Sequence, residues 1–162
     1  MGDKILKFYQ FMEKYTDFMA SMVAQEDKKY GALISNDIAR MDKAIYEQQA
    51  MLMQLETFEK QRIEIQTAAG FENFTFRQIL DVIEEDDVRE DFRILFDRIS
   101  KYTEQIQISN DRSKDFVKMN LHIHNMIGPE ESKGNMQKYL ANSGKGQKID
   151  ENQPGSVFQK KI

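Results

Sequence analysis

The chain has 162 residues, 40% of them apolar and 31% charged, with a formal net charge of −4. That length suits one domain with appendages, and the acidic balance argues against nucleic acid, whose binding needs Lys and Arg against phosphate. Cys and Trp are both absent, which removes disulfides, thiolate metal sites and thiol catalysis and fits a cytoplasmic setting.

The chain opens on Met1-Gly2-Asp3-Lys4-Ile5-Leu6-Lys7, where an amphipathic pattern begins at once. No basic stretch followed by an unbroken apolar run is present, so no signal peptide is expected. No segment reaches the ~20 apolar residues of a membrane span, so no membrane insertion is expected either. Asp3 can cap a first helix whose seam reads Ile5, Phe8, Met12, Tyr15, Met19, Met22, Glu26, Lys29 and Leu33. Phe11 and Phe18 widen the apolar face on one side and Tyr9, Val23 and Tyr30 on the other, which suits a bundle better than a two-stranded coiled coil. Gly31 is a place for fraying or a bend.

Ser35-Asn36-Asp37 is a turn and cap signal. The second helix carries Ile38, Met41, Ile45, Gln48, Leu52, Leu55, Phe58, Arg62, Ile65 and Ala69 on one stripe, and Gly70 closes it. A short connection makes the two helices an antiparallel hairpin. Glu26 then falls near Tyr46 and Gln48, and Lys29 near Asp42. Residues 71–74 form a linker. Thr75 caps a short helix from Phe76 to about Glu84, which must pack on the bundle to persist. Glu84-Glu85-Asp86-Asp87 is an acidic turn suited to the start of the next helix.

The last helix is expected from Asp87 to Ile127, about 60 Å of helix at 1.5 Å per residue. Its seam reads Phe92, Leu95, Ile99, Tyr102, Ile106, Ser109, Ser113, Phe116, Asn120, Ile123 and Ile127. The fold class is therefore all-α: an elongated antiparallel bundle of three long helices plus one short helix, over residues 1–127. Residues 128–162 hold both Pro and five of the eight Gly. Six Lys oppose four acids there, so the −4 of the chain splits into +2 in the tail and −6 before it. That composition predicts a disordered, flexible C-terminal tail.

Chemistry is sparse. His122 and His124 are two apart on a helix and point in different directions, so they do not converge on a metal, and their surroundings do not resemble a phosphotransfer site. Phosphate-cradling and nucleophile-elbow motifs are missing. No enzyme activity, cofactor or metal is expected. Apolar excess is plentiful instead. Phe116, Val117, Met119, Leu121, Ile123, Met126 and Ile127 crowd the end of the last helix. Phe116, Ile123 and Ile127 share a stripe with Val117, Met119 and Met126 on its edges, and Leu121 points away. A helix apolar on two sides has a second internal neighbour or an external partner. In the tail, Tyr139 and Leu140 are suited to docking on a partner.

The stretch Gln25 to Arg62 reads E-x5-A-L-x3-D-x3-M, then Q-x3-L-x2-L-E-x2-E-x2-R, through Glu26, Ala32-Leu33, Asp37, Met41, Gln48, Leu52, Leu55-Glu56, Glu59 and Arg62. It resembles the FlgN-like family of flagellar export chaperones. The segment Phe74 to Leu80 after Gly70, and Asn110 within a long last helix, resemble that family as well. The resemblance implies a cytoplasmic, non-enzymatic chaperone without a cofactor. It implies hook-associated proteins, bound through their C-terminal helical regions, and the flagellar type III export gate as partners. It places binding on Phe116 to Ile127 and on the tail around Tyr139-Leu140. The alternative is a self-associating coiled-coil protein with no export role.

Overall fold

The computed structural model describes residues 2–127, those after Ile123 by backbone alone. Four helices account for them: α1 Asp3–Ile34, α2 Ile38–Ala68, α3 Phe76–Val82 and α4 Asp86–Ile127. Three long helices and one short one are thus present as expected, with end positions shifted by one or two residues. Expectations for the tail, Tyr139 and Leu140 included, lie outside the described residues.

The connections follow from local chemistry. Between α1 and α2, Ser35 Oγ donates to Ala32 O at 2.7 Å, and Asp37 Oδ1 accepts from Arg40 N at 3.2 Å. Asn36 takes the left-handed φ of 54° that the turn requires. At the end of α2, Gly70 has φ 92°. Its N–H reaches Thr67 O at 2.9 Å, and Phe71 N–H reaches Gln66 O at 3.0 Å, the paired bonds of a Schellman cap. Thr75 and Gln78 form a reciprocal capping box at the start of α3. Arg89 of α4 closes the other end of α3, its Nε donating to Ile83 O at 2.9 Å.

The described residues form two compact units, to both of which α1, α2 and α4 contribute. The first contains residues 2–21 and 54–104. Its core is aromatic: Phe8, Tyr15, Phe71, Phe92 and Phe96 are buried, with Ile79 of α3 and Ile99 of α4 beside them. Phe76 stacks on Phe96 at 4.1 Å between centroids, which fixes the seven-residue α3 to α4. Every aromatic ring pair among the described residues except Tyr30–Phe116 lies in this unit. A buried polar chain runs through it. Tyr15 Oη donates to Glu59, Arg62 Nη2 lies 3.2 Å from Glu59 Oε2, and Arg62 Nη1 donates to Gln66 Oε1 at 2.6 Å. Gln66 Nε2 then donates to the carbonyls of Phe71 and Phe74, tying the linker before α3 to the core. Satisfied partners at each step make these burials tolerable.

The second unit contains residues 22–53 and 105–127. Its core is thinner: Met22, Ala32, Leu33, Met41, Ala44, Ile106 and Val117. α1 and α2 run antiparallel, as the bond from Gln25 Nε2 to Ala44 O and the packing of Leu33 on Met41 show. α4 runs parallel to α1, with Asn110 at Lys29 and Phe116 at Tyr30.

A candidate partner-binding face

Two charges lie inside the second unit. Glu26 and Lys29 are 3% and 1% exposed and pair at 2.7 Å. Gln48 Nε2 donates to Glu26 Oε1 at 2.8 Å, and Lys29 Nζ donates to Asn110 Oδ1 at 3.0 Å. Gln48 is thus the expected neighbour of Glu26, whereas Lys29 finds its acceptor on α4. Burial pushes the Glu26 carboxyl above the usual carboxylate range and the Lys29 ammonium below its own, each opposed by the other's charge. Ser113, fully buried close by in sequence on α4, has a hydroxyl with no hydrogen-bond partner. Part of this interior is therefore polar, and less apolar surface is buried to hold it.

These polar groups set the rotation of α4. Ile106 and Ser113 of the expected seam are buried in this unit, but Val117 joins them in place of the exposed Ile123, with Asn110 and Leu121 half-buried on one side of the stripe and Ser109 and Phe116 half-buried on the other. The expected seam follows the most apolar side chain at each turn, Tyr102 over Thr103 and Phe116 over Val117. The helix instead turns Thr103, Asn110 and Val117 inward, where Asn110 meets Lys29.

The candidate residues are redistributed accordingly. Val117 is fully buried in a cluster with Leu33 and Met41. Leu121, expected to point away, packs against that cluster beside Ile45 and Phe116. Phe116 is half-buried, its ring edge-on to Tyr30 at 6.1 Å. Met119 and Ile123 face outward, 58% and 45% exposed. The side chains of Met126 and Ile127 lie outside the described residues.

Other outward apolar residues were not among those expected. Ten large hydrophobic side chains are exposed among the described residues, and seven belong to the second unit: Ile34, Ile38, Tyr46, Met53, Ile108, Met119 and Ile123. Tyr46 and Met53 are seven apart on the outer face of α2, and Ile108 precedes Met119 by eleven on the outer face of α4. Seven and eleven residues bring a side chain back to nearly the same helix face. The correct α4 seam would have found Ile108, because it stands opposite Asn110 and Ser113.

A shallow depression of about 480 Å³ in the first unit mixes Glu13 and Asp17 with Lys14 and Arg98, so its charges largely cancel. Among the described residues, no three His, Cys, Asp or Glu side chains gather to hold a metal. None of the described helices is long and apolar enough to cross a membrane.

A helical bundle that leaves large apolar side chains uncovered mainly on one of its units has the build of a protein-binding protein. The sequence pattern of the family described as FlgN protein matches residues 1–127. This chain belongs to that family, which is one of chaperones rather than enzymes. Neither the curated proteins nor the solved structures yield a match to the chain.

Proposed function

We propose that this chain is a cytoplasmic flagellar export chaperone. It binds the C-terminal helical regions of hook-associated proteins, keeps them soluble and brings them to the flagellar type III export gate. The observation that carries this reading is the uncovered apolar surface of the second unit in a member of the FlgN family. An amphipathic client helix can lay its apolar face on Met119 and Ile123. The exposed Met53 and Met119 favour such use, because the flexible thioether side chain adapts to more than one partner surface. Tyr139 and Leu140 complete the contact from the tail.

Co-expression tests the proposal. A hook-associated protein from the same genome should remain soluble and co-purify with this chain, whereas a merely self-associating protein would leave it aggregated. The variant Tyr139→Ala with Leu140→Ala should bind the client more weakly at unchanged thermal stability. Equal affinity would remove that pair from the site.

A further inference from the structure

The outer face of α4 is self-complementary. In the second unit it presents Gln105, Ile108, Arg112, Asp115, Met119 and His122 at alternating spacings of three and four, and every one is exposed. That is the spacing of a coiled-coil seam, lying on the side of α4 opposite Asn110, Ser113 and Val117. Reversing the row about a point between Ser113 and Lys114 maps it onto itself. Ile108 then meets Met119, Arg112 meets Asp115, and Gln105 meets His122. An antiparallel pair of such helices matches apolar with apolar and cation with anion twice over, once on each side of a two-fold axis.

We propose that this face pairs with a second copy of the same chain, α4 against α4 in antiparallel register. The charges support a second copy over an arbitrary apolar helix. A parallel pairing would set Arg112 against Arg112 and Asp115 against Asp115, so the ionic pair selects the antiparallel register as well as the partner. Arg112 is 47% exposed on its side chain and lies 3.9 Å from the Tyr30 ring centroid. Its Asp27 contact is a long 3.4 Å, and guanidinium donors remain for a carboxylate across the axis. The pairing covers Ile108 and Met119, two of the exposed side chains of this unit. It stands without the client reading. If that reading also holds, the second copy shields the face until a client arrives.

Sedimentation of the full chain without client tests the pairing. The wild type should pass from monomer to dimer as concentration rises. Arg112→Asp and Asp115→Arg should each weaken the dimer by at least tenfold, and the double exchange should restore it. Circular dichroism melts check that each variant is folded. Because the chain has no Cys, a cross-link fixes the register. A mixture of Arg112→Cys and Asp115→Cys proteins should oxidise to a covalent dimer, and neither alone should. A monomer at every concentration, a dimer indifferent to the single charge changes, or a double exchange that fails to restore it overturns the proposal.

Discussion

Tyr15 stands at the head of the buried polar chain in the first unit. It is fully buried and donates to Glu59, and burial, with the Glu59 charge second, raises its pKa well above the ordinary 10.0. The folded chain therefore holds this proton when the unfolded chain has released it. Tyr15 contributes stability that is complete below pH 10.0 and is lost as pH rises from there through its folded pKa. The slope of that loss is about 1.4 kcal/mol per pH unit for one proton. Urea unfolding of wild type and Tyr15→Phe across pH 9 to 11 should show the wild type falling more steeply, with parallel curves counting against it. Sequence placed Tyr15 on an apolar seam and Arg62 on a facing one. It did not show that Glu59 and Gln66 complete a buried chain between them, because that chain depends on how α1 and α2 set their rotations against each other.

Helix ends and helix interiors give opposite signs to one substitution. Gly31 lies inside α1 with no heavy atom within 4 Å of a Cβ added there, so Gly31→Ala should stabilise by about 1 kcal/mol. Gly70 also has open space, but its φ of 92° strains any L side chain, so Gly70→Ala should destabilise by about 1 kcal/mol or more. Denaturant melts of the two variants should move apart, and a shift of both in one direction would refute this pairing. The four helices and their turns were legible because Gly70, Thr75 and the Ser35-Asn36-Asp37 turn act through local hydrogen bonds and dihedral preference. The rotation of α4 was not, since Asn110 turns to meet a buried lysine 81 residues away in sequence. The candidate face inherits that shift. The exposed Met119 and Ile123 lie within the apolar run that the sequence singles out, whereas the exposed Ile108 stands apart in polar sequence.

Across the molecule, apolar burial and apolar exposure are divided unequally. Each unit buries one ion pair, but the first surrounds its pair with the aromatic core, while the second has fewer buried apolar side chains and most of the exposed large hydrophobics. Fewer buried apolar contacts mean easier local opening. Amides of residues 22–53 and 105–123 should exchange hydrogen faster than those of 2–21 and 54–104, and uniform protection would contradict this. A unit that opens easily and offers apolar side chains is suited to receiving a partner helix. The most direct measurement is a titration of a hook-associated protein's C-terminal segment with wild type and with Met119→Asp plus Ile123→Asp. Each lost apolar contact is worth about 1.5 kcal/mol or more, and 1.4 kcal/mol is tenfold in Kd. The double variant should therefore bind at least tenfold more weakly at an unchanged melting temperature. Wild-type affinity in that variant would place the client elsewhere and contradict the account.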